Sequence, residues 1–306
     1  METSSNSIFY MSPAMRMVLF LALTGIGMIV GGFISFSIAA AILHVDLNTL
    51  QTILLLPEHS KVAQFANALA SIIAFGIPSL VGAYFVKGSW IQNMGFNKVV
   101  SGEQFSYVVA LAIAGLFLSG ALGDLTEKIP LTTSLKQWAE GMEDQYKKAL
   151  LAMTQMKSYW DVLFAILSVA LIPAFMEELF FRASLQKILL DWSGKPYLSI
   201  VVTAIIFSAI HFSYFGFLSR MSLGIILGLV YYYTRTIWLP MLMHFIHNGI
   251  GVITLYWVRD DAKKVDAVIN GNLTYYWVIL AFILVYFLLK KLKSIAYESG
   301  LEKAMQ

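Results

Sequence analysis

Long runs of apolar residues are the feature that most limits how this chain can fold. A helix needs about 20 apolar residues to cross a bilayer core of roughly 30 Å. The sequence therefore predicts one all-α domain over residues 1–306, a polytopic transmembrane bundle of about eight spans. The candidate spans are residues 15–43, 63–86, 105–123, 159–190, 197–216, 220–234, 237–258 and 274–290.

The composition supports a membrane protein and excludes several function classes. Hydrophobic residues make up 58% of the 306 residues and charged residues only 13%, which is too little charge to cover a soluble domain. The lack of cysteine excludes disulfides, thiolate catalysis and cysteine-based zinc sites. A formal net charge of +3 gives no reason to propose nucleic acid as a partner. The high hydrophobic fraction instead makes membrane lipid the expected surroundings and partner.

The ends of the chain predict its orientation. The first run, 15–43, is too long for the core of a signal peptide, so we interpret it as a spanning helix and not a removed leader. An even number of spans puts both termini on one side, and Lys290, Lys291 and Lys293 favour a cytoplasmic C-terminus. Counted over all loops, lysine and arginine divide almost evenly between the two sides, and the balance favours this orientation only when the long loop after the third run is left out. We expect an integral protein of a bacterial inner membrane with cytoplasmic termini.

Residues 124–157, between the third and fourth runs, are more polar than the runs themselves. Apolar residues recur there at helical spacing, which predicts an amphipathic helix on the membrane surface. An extramembrane helical hairpin would give a similar pattern and stays an alternative. The spaced apolar residues are Leu135, Trp138, Met142, Tyr146 and Leu150.

Glycine pairs spaced four residues apart predict two places of close helix packing. One pair is Gly27 and Gly31 in the first run, and the other is Gly224 and Gly228 in the sixth. Small residues at this spacing let two helix backbones approach each other within a membrane.

Ionisable residues inside apolar runs point to function, because a charge is costly to bury in a bilayer. Glu178 and Arg182 in the fourth run are four residues apart, so they can form an ion pair on one helix face. Glu177 projects about 100° around the helix and has no such local partner. An unpaired carboxylate in a low-dielectric environment suits the role of general base. The alternative is that all three residues form one structural ion-pair cluster.

Histidine and asparagine lie in two further runs. His211 and Glu177 are about equally far from a predicted turn near Gly194 and Pro196, so in an antiparallel helix pair they would face each other. A lone histidine in an apolar helix can equally be a hydrogen-bonded core residue. His211 comes late in its own run, which raises a difficulty of depth for any contact with the seventh run.

The seventh run begins close to its polar residues. His244 and Asn248 are four residues apart on one face and could be catalytic or an interhelical hydrogen-bond pair. His244 can meet His211 only if the seventh helix is tilted or begins deep in the bilayer. Pro173 and Pro240 each lie four residues before a polar motif, where a proline can kink a helix.

In this order, the motifs Glu-Glu-x-x-x-Arg, Phe-x-x-x-His and His-x-x-x-Asn resemble the CPBP family. These are the CAAX-processing and bacteriocin-processing intramembrane endopeptidases, also called Abi or type II CAAX proteases. The three motifs span residues 177–248, and the resemblance extends over a family core of 159–258. It implies an intramembrane endopeptidase acting on a membrane-associated peptide or protein tail.

The resemblance also implies residue roles. Glu177 would activate a water that His211 helps to bind, and His244 and Asn248 would hold the oxyanion. Glu178 and Arg182 would support them and Phe207 would be packing, while His247 falls outside the family pattern.

The use of a metal stays open at this stage. A divalent ion such as zinc could be held by His211, His244 and Glu177, and a metal-free, glutamate-based mechanism suits the same residues. There is no His-Glu-x-x-His motif to decide between them.

Two other function classes compete with hydrolysis. The first is a non-catalytic membrane protein, binding a partner or conferring bacteriocin immunity on the same fold, but the complete motifs argue against it. The second is a metal or proton transporter, but such proteins commonly contain internal repeats and none is evident here.

Overall fold

The computed structural model describes residues 11–86, 88–270 and 273–298, and within these residues all regular secondary structure is helical. The all-α fold predicted from the apolar runs is confirmed. The helices are α1 (Pro13–Leu43), α2 (Leu47–Leu54), α3 (Pro57–Tyr84), α4 (Trp90–Met94), α5 (Gly102–Glu127), α6 (Thr133–Met153), α7 (Tyr159–Ser193), α8 (Pro196–Ala209), α9 (Phe217–Thr234), α10 (Trp238–Val258), α11 (Ala262–Asn270) and α12 (Trp277–Glu298).

Six of the described helices are long and apolar enough to cross a membrane: α1, α3, α5, α7, α9 and α10. Helix α8 is a shorter apolar helix, and α12 has an apolar first part that ends in a basic segment. Each of these eight helices overlaps one of the predicted runs, so the bundle architecture agrees with the sequence prediction, and the span count of about eight is approximate. The chain is an integral membrane protein.

Both glycine pairs lie where helices pack closely. A Cβ atom on Gly27 would lie 3.2 Å from the Cα atom of Ala74, so the backbones of α1 and α3 are nearly in contact. A Cβ atom on Gly224 would lie 3.0 Å from the Cβ atom of Ala204, which brings α9 equally close to α8. The close packing predicted from the glycine spacing is confirmed at both places.

Helix α7 is irregular on both sides of Pro173. Widened π-type turns occupy Ile166–Leu171 before the proline and Leu179–Gln186 after it. Proline removes one backbone donor, and π-type turns in an α-helix are often found at functional sites. Pro240, in contrast, lies in the first turn of α10, where the missing N–H removes no intrahelical hydrogen bond.

The end of α8 corrects one prediction. The fifth run was expected to be helical over 197–216, but the helix ends at Ala209 and a turn follows. Phe212 has a left-handed backbone with φ +49°, which an α-helix cannot accommodate. His211 therefore lies in the turn after α8 and not inside a spanning helix. The predicted turn before α8 is confirmed, since α7 ends at Ser193 and Gly194 adopts φ +66°.

Contacts between distant helices show which ends lie together. Arg16 at the start of α1 forms a 2.8 Å ion pair with Asp191 at the end of α7. The Lys293 ammonium near the end of α12 lies 5.9 Å from the centre of the Tyr233 ring, near the end of α9. We call this side, where α1 begins and α7, α9 and α12 end, the terminal end of the bundle.

The predicted amphipathic helix is α6, at the opposite end of the bundle. The centre of the Trp138 ring on this helix lies 6.2 Å from that of Tyr214, a residue of the turn that also contains His211. Glu143 Oε2 accepts a 2.8 Å hydrogen bond from the Ser213 hydroxyl in the same turn. Helix α6 therefore covers the segment that positions His211.

Among the described glycines, Gly95 is the one that the backbone requires most strictly. It has φ +84°, and a Cβ atom there would lie 2.6 Å from the carbonyl oxygen of Arg235. We expect Gly95→Ala to destabilise the protein by about 1–3 kcal/mol for the left-handed backbone alone, in addition to the clash. The thermal unfolding midpoint of the purified protein measures this effect.

The control for this substitution is Gly141→Ala in α6. Gly141 is helical with no atom within 4 Å of the added Cβ position, so alanine there should leave stability unchanged or raise it slightly. Equal midpoints for the Gly95 and Gly141 variants would contradict the requirement for glycine at residue 95.

Candidate active site

The His244 imidazole lies between two carboxylates on the irregular part of α7. Its Nδ1 atom is 2.8 Å from Glu178 Oε1, and its Nε2 atom is 3.8 Å from Glu177 Oε2. The side chains of Glu178 and His244 are almost fully buried, and that of Glu177 is 13% exposed. Two adjacent glutamates on one helix thus contact opposite nitrogens of one histidine ring.

Glu178 is held by a buried cation. Arg182 Nη1 donates a 2.7 Å hydrogen bond to Glu178 Oε1, and both side chains are fully buried. Arg182 Nη2 also donates to the Gly224 carbonyl oxygen of α9 at 3.3 Å. The ion pair predicted from the four-residue spacing is therefore present. It also connects α7 to α9.

These contacts fix the orientation of the His244 ring. A carboxylate paired with arginine can only accept hydrogen bonds, so Nδ1 of His244 is the donor to Glu178. The Nε2 atom is then directed at Glu177. Such a carboxylate–histidine contact sets the tautomer and the direction of an imidazole in many active sites.

The distance between the His244 and Glu177 side chains leaves room for a shared ligand atom. At 3.8 Å, the Nε2 and Oε2 atoms are too far apart for a direct hydrogen bond. Glu177 Oε2 is buried and has no hydrogen-bond partner among the described residues. One oxygen atom, of water or of a substrate, could contact both groups at this spacing.

His211 is placed by its own backbone. Its Nδ1 atom lies 2.8 Å from the Phe207 carbonyl oxygen, and because a carbonyl only accepts, Nδ1 carries the hydrogen. The Nε2 atom of a neutral His211 ring is therefore a free acceptor. The expected pairing of His211 with Glu177 differs from what the structure contains: no hydrogen bond or ion pair joins them within the described residues, and Glu177 lies beside His244.

The Phe207 ring lies between the two histidines. Its centre is 5.1 Å from the His211 ring and 5.8 Å from the His244 ring, in an edge-on arrangement with each. The Arg182 guanidinium carbon lies 4.8 Å from the same ring centre. Phe207 is packed as the resemblance implied, and it separates the buried ion pair from the turn with His211.

The start of α10 explains how His244, early in the seventh run, can lie near His211, late in the fifth run. Trp238, its first residue, packs with its ring 6.2 Å from the ring of Phe175, only two residues before Glu177. The Trp238 indole also donates to the Phe96 carbonyl oxygen at 3.1 Å. Helix α10 thus begins beside the part of α7 that contains the two glutamates, and His244 follows within two turns of its start.

Asn248 and His247 follow His244 on α10. Asn248 is half-buried and makes no hydrogen bond to another described residue, so its amide is open to a ligand. His247 Nδ1 is buried without a hydrogen-bond partner in the same part of the chain. His244 and Asn248 lie one turn apart, as their spacing predicted.

Arg220 on α9 is a neighbour of the site that the sequence reasoning missed. It lies within electrostatic range of both His211 and His247. Its guanidinium carbon is 4.4 Å from the centre of the Tyr146 ring on α6. The signal in the sequence is a charge at the first position of the sixth apolar run, 220–234.

The residues fit a metal poorly as they are arranged. Within the described part of the chain, no group of three or more His, Asp or Glu side chains is placed to hold a metal ion. Glu178 and the Nδ1 atom of His244 are occupied by each other and by Arg182. We therefore derive no catalytic step through a metal.

Comparison with protein families supports the motif assignment. A family model described as Type II CAAX prenyl endopeptidase Rce1-like matches residues 159–250, a segment that contains all three motifs. Comparisons with curated proteins and with solved structures found no match. This match confirms, for residues 159–250, the resemblance to the type II CAAX protease family that the motifs indicated.

Proposed function

We propose that this protein is an intramembrane endopeptidase that hydrolyses a peptide bond in a membrane-associated peptide or protein tail, with Glu177 as general base. The substrate would be of the CAAX type or resemble a bacteriocin or signal peptide. The observation that carries the proposal is the His244 ring between Glu177 and Glu178. The family match supports proteolysis in general.

In the proposed reaction, Glu177 Oε2 takes a proton from a water molecule. The water oxygen attacks the carbonyl carbon of the scissile peptide bond and forms a tetrahedral intermediate. The proton held by Glu177 then passes to the nitrogen of the leaving amine as the carbon–nitrogen bond breaks. The free Nε2 acceptor of His211 is suited to orient the attacking water.

The negative charge of the intermediate needs hydrogen-bond donors. We assign this role to the Asn248 amide and to His244, one turn apart on α10. Because the Nδ1 hydrogen of His244 is donated to Glu178, His244 can donate to the oxyanion only when Nε2 also carries a hydrogen, as in the imidazolium form. Preorganised donors of this kind often supply the largest single part of enzymatic rate enhancement. The Glu178–Arg182 pair holds His244 and has no direct part in bond breaking.

The orientation in the membrane belongs to the same proposal. The terminal end of the bundle contains Lys187, Lys195 and Arg235, besides the basic segment that ends α12. Loops rich in lysine and arginine remain on the cytoplasmic side. We propose that this end faces the cytoplasm of a bacterial cell, with both termini there.

We expect Asn248→Ala to lower kcat for cleavage of a membrane-anchored peptide by about 10²–10³-fold, as for removal of one oxyanion donor in other hydrolases. KM should change little, because the lost contact forms mainly in the transition state. The measurement is peptide cleavage by the purified protein in lipid vesicles.

The matched control is Thr254→Ala on the same helix. Its hydroxyl bonds only to the Ile250 carbonyl oxygen and is exposed, so cleavage should be unchanged. An Asn248 variant with full kcat would remove this residue from the proposed oxyanion site.

A further inference from the structure

A polar cavity opens at the terminal end of the bundle, apart from the two glutamates. It has a volume of about 190 Å³ and lies between α4, the end of α7 and the end of α9. This is smaller than the pockets of about 300–1,000 Å³ that enclose drug-sized ligands, so it suits a small headgroup. Gln186, on its wall, lies two helical turns after Glu178 on α7.

All the charged side chains described on the cavity wall are positive. Lys98, Lys187 and Arg235 line it, and none of the described residues that line it is aspartate or glutamate. Lys187 is held only loosely, at 3.4 Å from Asp191, whose carboxylate already accepts a 2.8 Å hydrogen bond from Arg16. Three cations around one small cavity favour an anionic ligand.

Arg235 has a backbone conformation that is unfavourable for a residue other than glycine, which suggests a role for its side chain. Arg235 has φ +56° at the end of α9, a left-handed position that glycine usually occupies after a helix. Its guanidinium carbon lies 5.0 Å from the centre of the Tyr232 ring, which also lines the cavity. Non-glycine residues in such conformations are concentrated at functional sites.

The ligand chemistry follows from the place of the cavity as well as its charge. It lies where spanning helices end, and Tyr231 and Tyr232 line it at the level where tyrosine meets lipid headgroups. Basic pockets between transmembrane helices on the cytoplasmic side bind anionic headgroups. A phosphate ester could also come from solution, so the source has to be tested.

We propose that this cavity binds the phosphate of an anionic phospholipid headgroup through Lys98, Lys187 and Arg235. The lipid would join α4, α7 and α9 at the terminal end of the bundle. The site is independent of the proposed peptidase activity, because no hydrogen bond or ion pair among the described residues joins its lining residues to His244, Glu177 or Glu178.

The test compares the full-length protein in nanodiscs of phosphatidylcholine alone and of equal parts phosphatidylcholine and phosphatidylglycerol. Native mass spectrometry of the released protein measures the lipid retained. Phosphatidylglycerol should be retained in preference to phosphatidylcholine. Removing one charge, as in Lys98→Gln or Arg235→Gly, should weaken phosphatidylglycerol binding about five-fold, equivalent to about 1 kcal/mol.

Two variants distinguish a role of the cavity cations in lipid binding from a purely structural role. Arg235→Gly replaces a strained residue with the one that its backbone favours, so the lipid-free protein should keep or raise its unfolding midpoint while losing affinity. Lys195→Gln removes an exposed charge from the same end but outside the cavity, and it should bind as the wild type does.

Three outcomes would overturn the proposal. The first is unchanged lipid retention in the Lys98 and Arg235 variants, and the second is an equal loss in Lys195→Gln. The third concerns the source of the phosphate group. In detergent, we expect inorganic phosphate at matched concentration neither to stabilise the protein nor to displace phosphatidylglycerol. If it does both, the cavity is a site for soluble phosphate and not for lipid.

Discussion

Glu177→Gln should abolish peptide cleavage while leaving the protein folded. General acid–base catalysis contributes typically about 10²–10⁴-fold to rate, and a glutamine amide cannot take a proton from water. Glutamine has nearly the same shape as glutamate. Glu177 Oε2 also accepts no hydrogen bond from a described residue, so little structural energy is lost. The measurement is kcat on a membrane-anchored peptide in lipid vesicles, with the unfolding midpoint determined in parallel.

The control for Glu177→Gln is Glu103→Gln, an exposed carboxylate in the first turn of α5. It removes the same charge far along the chain from the two glutamates and should leave kcat unchanged. Cleavage that survives Glu177→Gln would show that another group activates the water. Absence of cleavage by the wild type, with partner binding intact in both proteins, would favour the non-catalytic alternative.

The residue types of the site could be predicted from sequence because charges inside apolar runs are rare and their helical spacing is informative. The spacing of Glu178 and Arg182 predicted their ion pair, and the spacing of His244 and Asn248 predicted their shared face. These are contacts within one helix. A regular helix determines them almost completely.

Contacts between helices were harder to predict, because counting residues from a turn assumes regular helices of equal rise. The widened turns over Leu179–Gln186 change the rotation and rise of α7 just after Glu177. Helix α8 also stops at Ala209, so His211 does not continue its helical path. No hydrogen bond or ion pair joins Glu177 to His211 among the described residues, and the ring beside Glu177 is that of His244.

The deep start of α10 and the position of Arg220 depend on tertiary packing. Trp238 is held by the Phe96 carbonyl, 142 residues away in sequence, and no local pattern encodes that hydrogen bond. Arg220 reaches the site from the first turn of α9 and stacks on Tyr146 of the amphipathic helix. Both features follow from how separate helices meet, which composition and spacing leave undetermined.

Arg182→Met should be the most destabilising single substitution in the core. It leaves Glu178 fully buried without its cation, and breaking a buried ion pair by removing one partner costs about 3–5 kcal/mol. It also removes the hydrogen bond to the Gly224 carbonyl and the contact with the Phe207 ring. The unfolding midpoint of the purified protein should fall markedly.

The control for Arg182→Met is Arg259→Met. The ion pair of Arg259 with Asp260 is 3.8 Å long and exposed, so its loss should cost less than about 1 kcal/mol. Comparable effects of the two substitutions would contradict a buried, energetically coupled pair at Glu178.

The double variant Glu178→Gln with Arg182→Met separates charge from shape. Glutamine keeps an oxygen that can accept from His244 Nδ1 but removes the unpaired charge, so much of the lost stability should return. If His244 is then still oriented, cleavage should recover in part together with the unfolding midpoint. Recovery of stability without any cleavage would instead mean that the negative charge of Glu178 acts on the His244 ring during the reaction, beyond holding it in place.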